Sequence, residues 1–426
     1  MANGRWRWGG RDAARWLSRV GLVLLRVGLA TLCFAAPLVA GSSQGTRSAD
    51  VPGETQPSFF GLTVNDFTNV KPLLAFGTTR SWDAYPGLDW AEANPTSGRF
   101  RFGSLNRFIA INQARGAEMI YTFGRTPQWT SAQPNAPGPY GPGQCAPPDL
   151  AAWDEYVTAV VTRAAGRIHY WELWNEPNFV QFYCGDIATM VTMARHAYEI
   201  IKRIDPTAQV LSPATAGPAG PAWLKSFLAG GGDSAVDIIA FHGYAANDEE
   251  VNALVNSYRA LAGTAAGRSL PLWDTEGSWG ETAIGDDAHR AAFMAKFYAL
   301  QWSLGVERVV WYAYDNKPTW GRLMIDATSL NAAGVAYRET YRWIVGATLA
   351  QPCSADRHGT WRCSLTRPGG YQAEIVWNSN RNIGRDAVPS SMVEYRDLAG
   401  DSHTIANGVV PVGNSPILIE TGLPSN

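Results

Sequence analysis

From about residue 58 the chain alternates short apolar runs with longer stretches whose apolar residues recur every three to four positions. The short runs predict strands at 59–64, 75–81, 118–123, 168–175, 209–212, 236–242, 270–276 and 308–314. Between them, Trp153, Val157, Val160 and Ala164, and again Phe293, Phe297, Leu300 and Leu304, follow the i, i+4, i+7 spacing of a helix face packed on a core. Alternation of this kind predicts an α/β architecture. Eight strand–helix units over 57–347 match a (β/α)8 TIM barrel, which works at the C-terminal ends of its strands. A doubly wound sheet is the rival, but it gives no reason for acids at so many strand tips.

After about Gly346 the texture changes. Strand-like runs at 360–365, 371–378, 392–398 and 416–420 are split by Pro368, Gly369, Gly370 and Gly408. They predict a small, sandwich-like all-β domain over 348–426, packed on the barrel because no low-complexity linker separates the two. Two Gly/Pro-rich loops, 126–148 and 215–221, interrupt the barrel pattern. The first is too long to be a bare connector, and directly after the third strand it should wall the cleft.

The N-terminal pattern is different again. Arg5, Arg7, Arg11, Arg15 and Arg19 precede an uncharged run at 27–40 that ends in small residues, the organisation of an export signal. Residues 1–40 read as a signal peptide cleaved after Ala40, with an uncleaved signal anchor as the alternative and the one route to a membrane. Loss of six arginines and Asp12 with that segment takes the formal charge from −2 to about −7. A mildly acidic chain lacks the electrostatic footprint of a nucleic-acid binder. The expected location is therefore secreted or periplasmic. Cys145, Cys184, Cys353 and Cys363 remain, an even number that suggests bridges in an exported chain. Cys353 with Cys363 would staple a local hairpin, and Cys145 with Cys184 would tie two long loops, although spacing leaves the pairing open. No zinc-like spacing occurs, and the chain calls for no metal or cofactor.

Two strand tips carry the chemistry. Tyr170-Trp171-Glu172-Leu173-Trp174-Asn175-Glu176-Pro177 is an apolar strand that stops at a carboxamide, a carboxylate and a proline, which ends strand pairing. Leu272-Trp273-Asp274-Thr275-Glu276-Gly277 ends in a second acid. Two opposed carboxyls are what hydrolysis of a glycosidic bond requires. Glu176 suits the general acid/base, with Asn175 placed to bind a sugar 2-hydroxyl. Glu276 suits the nucleophile, kept ionised by partners such as Arg80 and Tyr244. The plainer alternatives are a salt-bridged rim glutamate, a surface arginine and, for His242, a satisfied core histidine. Glu172 and Asp274 should point the same way as their catalytic neighbours, deeper in the barrel, as supporting acids neutralised by Arg80. Among the 18 tryptophans, Trp311, Trp129 and Trp279 are candidate sugar platforms, with Tyr314, Trp82 and Asp83 as further cleft lining.

Asn175-Glu176-Pro177, His242-Gly243-Tyr244 and Thr275-Glu276-Gly277 resemble the signatures of the clan A retaining glycoside hydrolases. Trp174-Asn175-Glu176-Pro177-Asn178 with a trailing β-domain is most similar to glycoside hydrolase family 39; family 5 and other clan members share the signature. The resemblance implies Glu176 as acid/base and Glu276 as nucleophile in an enzyme that cleaves β-linked oligo- or polysaccharides without cofactor. A non-catalytic polysaccharide-binding protein of export and a transglycosylase are the alternatives.

Overall fold

The computed structural model describes residues 53–422, apart from 85–86, 282–283 and 381–382. The expected signal segment lies outside the described residues. No helix among the described residues is long and apolar enough to cross a membrane.

Eight short parallel strands form the centre of the molecule: β1 (Phe60–Leu62), β2 (Thr78–Arg80), β3 (Glu118–Thr122), β4 (Tyr170–Glu172), β5 (Gln209–Leu211), β6 (Ile239–His242), β7 (Leu272–Gly277) and β8 (Arg308–Trp311). Their hydrogen-bonded order is β5-β4-β3-β2-β1-β8-β7-β6. Parallel bridges from Leu211 to Ile238 and from Thr215 to Phe241 join the two ends. The sheet is thus a nearly closed (β/α)8 barrel, not the open doubly wound alternative. Inward-facing Ile120, Leu211, Ala214, Ile238, Ala240, Trp273 and Val310, with Tyr170 against them, make an apolar plug inside it. The outward residues, among them Phe60, Trp171 and Trp311, join the large core shared with the surrounding helices.

The helices are α1 (Trp90–Ala93), α2 (Gly103–Gln113), α3 (Leu150–Ala164), α4 (Ile187–Ile204), α5 (Gly220–Ala229), α6 (Asp248–Ala262), α7 (Asp287–Ser303) and α8 (Ala332–Ile344). Their starts follow capping chemistry: the side chains of Asp149, Asp186, Asn247, Asp286 and Asn331 each accept backbone N–H groups from the first turn. Helix α4 is plainly amphipathic, burying Met190, Val191, Ala194, Ala197 and Ile201. Helix α7 is buried without a break from Ala291 to Trp302, because barrel and β-region cover opposite sides of it.

A hairpin of β9 (Met324–Asp326) and β10 (Ser329–Leu330) precedes α8. Beyond α8 the chain is antiparallel β: β11 (Thr348–Ala355), β12 (Thr360–Arg367), β13 (Tyr371–Asn378), β14 (Ile383–Ala387), β15 (Glu394–Arg396), β16 (Ser402–Thr404), β17 (Val409–Gly413) and β18 (Ile417–Glu420). A six-stranded sheet, β11-β12-β13-β18-β15-β16, packs against the β14–β17 pair through Val376, Val410, Val412, Ile417 and Ile419. Strands β11, β14, β16 and β17 escape the sequence pattern. They are short or largely exposed, and Pro352 and Pro411 dilute the apolar alternation.

The β-region is fixed to the barrel by a polar cluster at α6 and α7. Lys296 on α7 donates to Ser379 at 2.7 Å and to Asn414 at 2.6 Å. Asp248, at the start of α6, accepts from the Trp377 indole at 2.8 Å and from the Ser379 hydroxyl at 2.6 Å. Two disulfides are present: Cys353–Cys363 joins β11 to β12, and Cys145–Cys184 ties the 126–148 loop to the segment between β4 and α4. Such bridges suit an oxidising compartment.

Candidate active site

At the C-terminal ends of the strands, beyond the apolar plug, lies a layer of charge built on Arg80. This guanidinium ends β2 and is 0% exposed. It donates to Glu172 through Nε at 2.8 Å and Nη2 at 2.5 Å, to Glu276 through Nη1 at 2.5 Å, and to Asn175 through Nη2 at 2.8 Å. Thr122 on β3 adds a hydroxyl to Glu172 at 2.7 Å. One buried cation therefore serves two carboxylates and a carboxamide from β4 and β7, the pairing that lets buried charge persist. Glu172 takes the place expected of it.

Asp274 does not. Along the β6–β7 ladder Phe241 pairs with Asp274, but the next β6 residue, His242, pairs with Glu276. Thr275 is thus the extra residue of a β-bulge, and it reverses the parity of the side chains that follow. Trp273 faces the barrel interior, Asp274 faces α7, and Glu276 returns to the cleft. Gln301 of α7 donates to Asp274 at 2.8 Å and the Gly243 N–H does so at 2.9 Å, while burial holds its pKa up at about 7. A Cβ at Gly243 would stand 2.0 Å from that carboxylate, so only glycine fits there.

Glu176 reaches the cleft by a different distortion. Its φ of 45° is left-handed, rare for a residue with a side chain, and its N–H is anchored on Ala214 O at 2.7 Å. Trp174 just before it is buried facing outward, packed near Trp153 and Tyr183. Glu176 shares a 2.9 Å hydrogen bond with Nδ1 of His242. Glu276 accepts from the Tyr244 hydroxyl at 2.6 Å. An oxygen of each glutamate and a ring nitrogen of His242 all lie within 4.8 Å of one another.

The two acids are not equivalent. Burial pushes Glu176 up to about 8, because the charge of Arg80 reaches it without a hydrogen bond while Asp83 and Glu172 oppose its ionisation. Burial also raises Glu276, but Arg80 and Tyr244 touch its carboxylate directly and draw it back. Burial drops His242 to about 4, so the imidazole is neutral near pH 7. The triad of Glu176, His242 and Glu276 has the donor types of a divalent-cation site. Its donors are already engaged, however, and the fixed positive charge of Arg80 against Glu276 opposes a second cation. The set fits a proton-sharing acid pair better than a metal.

A family model described as glycosyl hydrolase catalytic core matches residues 112–337, more than half of the chain. The chain belongs to that family. It is a glycosidase, and carbohydrate is its substrate class. Its fold is shared with a family 39 glycoside hydrolase from Bacteroides cellulosilyticus, at a TM-score of 0.69 and 19% identity over 87% of this chain and 82% of that one. A family 39 β-xylosidase from Caulobacter crescentus matches at 0.64 and 19%, covering 86% of this chain and 97% of the other. A glucosidase from Croceicoccus marinus matches at 0.62 and 16%, covering 87% and 97%. No curated protein sequence matches the chain.

Within this glycosidase, Arg80, Asn175, Glu176, His242, Tyr244 and Glu276 come together as the sequence pattern led one to expect. Arg80 and His242 are both fully buried beneath the carboxylates, so they act through Glu276 and Glu176 and not on a sugar. The tryptophans are corrected. Trp311 is 0% exposed on the outward face of β8, its indole donating to Gly321 O and its ring packed on Phe297 of α7. Trp279 is buried edge-on against Trp311 at 5.1 Å. Trp129 is half exposed but lines surface hollows with Pro95, Pro127 and Gln144, away from both glutamates. Tyr314 is buried too, its hydroxyl accepting from the Leu73 N–H. The aromatic residues linked to the acids are Tyr312 and Trp320. Strand alternation carried past Val310, which faces the barrel interior, would have pointed to Tyr312.

Proposed function

We propose that this glycosidase cleaves β-glycosidic bonds with retention of configuration, Glu276 acting as nucleophile and Glu176 as acid/base. The observation that carries the reading is the separation of the two carboxyls, oxygen to oxygen within 4.8 Å. Retaining enzymes hold theirs about 5–5.5 Å apart, whereas inverting ones need about 6.5–9.5 Å to admit a water. The protonation states agree with the roles. Glu176, with a pKa near 8, holds a proton at neutral pH, and Glu276, bonded to Arg80 and Tyr244, is the acid favoured to be ionised.

In the first step a Glu276 oxygen bonds to the anomeric carbon as the bond to the leaving oxygen breaks, and Glu176 passes its proton to that oxygen. In the second step Glu176 takes a proton from water, whose oxygen displaces Glu276 from the anomeric carbon. Each step is an in-line substitution, and two of them restore the starting configuration. Asn175, oriented by Arg80, is placed for the sugar 2-hydroxyl. The substrate is an oligo- or polysaccharide. The barrel over 57–347 carries the reaction, and the β-region over 348–426 is an accessory domain. The basic and apolar start of the chain and the two disulfides support export to the periplasm or medium.

Proton NMR of the first-formed product of an aryl β-glycoside tests the mechanism: the β-anomer is expected to appear first and then mutarotate. Initial release of the α-anomer sinks the reading.

A further inference from the structure

A circuit of contacts leaves Glu276 and returns to it. The Tyr244 hydroxyl donates to Glu276 at 2.6 Å, and the Tyr244 ring meets Trp320 edge-on at 5.5 Å. Trp320, on the short turn Pro318–Trp320 after β8, meets Tyr312 edge-on at 6.0 Å. The Tyr312 hydroxyl donates to Asp83 Oδ2 at 2.9 Å. Asp83 stands three residues beyond Arg80, whose guanidinium closes the circuit on Glu276. Tyr140, from the 126–148 loop, donates to the same Asp83 oxygen at 3.4 Å, and its ring lies 4.1 Å from the Arg125 guanidinium. Glu176 is held instead by His242, so the circuit belongs to the nucleophile's half of the cleft, the half that keeps the glycosyl residue.

We propose that Asp83 is the specificity-determining acid of this glycone subsite, accepting hydroxyl hydrogens from a neutral glycosyl residue and excluding uronic acids. The inference rests on the reading of Glu276 as nucleophile. An ionised carboxylate only accepts hydrogen bonds, so it selects hydroxyl donors, and such charge-assisted bonds are worth about 10- to 100-fold in affinity each. A sugar carboxylate about 5 Å from Asp83 meets a repulsion worth about 100-fold at the effective dielectric of a partly buried site. The nearby cations do not offset it. Arg80 is divided between Glu172 and Glu276, and Arg125 is paired with Asp89 and stacked on Tyr140. The partly buried rings of Trp320 and Tyr312 supply the apolar side that a sugar ring face requires.

The test compares kcat/KM for an aryl β-glucoside or β-xyloside with that for the aryl β-glucuronide. The wild-type enzyme is expected to prefer the neutral glycoside by about 100-fold or more. Asp83→Asn should lower the neutral value about 10- to 100-fold and spare the glucuronide, narrowing the ratio at least tenfold. Asp83→Glu, which keeps the charge, should retain the discrimination. Equal losses on both substrates with Asp83→Asn would reduce Asp83 to a structural part and overturn the proposal. So would a wild-type preference for glucuronide, an outcome that needs no folded variant. Glu276→Ala on the same substrates separates the two readings. Undiminished activity removes the double-displacement reading, whereas its loss together with a ratio indifferent to Asp83→Asn removes only this one.

Discussion

Arg80 holds Glu276 at 2.5 Å while itself fully enclosed by protein. Removing such a cation leaves Glu172 and Glu276 facing each other with no compensating charge. Arg80→Met is therefore expected to destabilise the fold by about 3–5 kcal/mol, read by chemical denaturation near pH 7. A loss below about 1 kcal/mol would mean that Arg80 is not the neutralising partner of these acids.

The pH profile follows from the unequal acids. The kcat/KM for a substrate with a poor leaving group should be bell-shaped, rising as Glu276 ionises and falling as Glu176 loses its proton near pH 8. Glu176→Ala should abolish the alkaline limb. It should also slow such substrates by about 10²–10⁴-fold while largely sparing the first step on activated aryl glycosides. An alkaline limb that survives in Glu176→Ala assigns it to another group.

The same shift makes a stability prediction. The Glu176 carboxyl has an ordinary value of 4.5 and is raised to about 8 in the folded enzyme. Between those values the folded state keeps a proton that the unfolded chain has released, so stability falls as pH rises through this window. The contribution is intact below pH 4.5 and gone above about 8. Glu176→Gln, which cannot titrate, should gain stability relative to wild type across that range; a difference independent of pH counts against the raised value.

Trp311 and Trp320 should separate structure from binding. Trp311→Ala empties an enclosed site packed on α7 and is expected to cost about 3–5 kcal/mol of stability. Trp320→Ala, at a partly exposed position, should leave the unfolding transition nearly unchanged and raise KM several-fold. Saccharide titration and thermal scans of both variants decide it, and a KM effect confined to Trp311→Ala would reverse the assignment.

How far the sequence reveals this site depends on local rules. Glu176 and Glu276 are legible because a proline and a glycine end their strands, and barrel strands end at the working face. All eight barrel strands are legible because their apolar runs are bounded by turn residues. The inward or outward sense of a side chain is not. On β8 both Val310 and Trp311 are apolar, one filling the barrel and the other packing on helices, and periodicity cannot tell which is which. On β7 the bulge at Thr275 breaks the count of two that would have paired Asp274 with Glu276. Tyr140 and Trp320 lie on loops, where spacing carries no positional information.

That bulge also has a bearing on how such a site can be lost or gained. Asp274 and Glu276 sit on either side of one supernumerary residue, and register alone decides which of them meets the sugar and which meets Gln301. Excising Thr275 would slide the strand tip by one position, turning Glu276 toward α7 with no change in either acid. A lineage could switch this nucleophile off, or restore it, by a single-codon deletion or insertion that leaves every functional side chain in the gene.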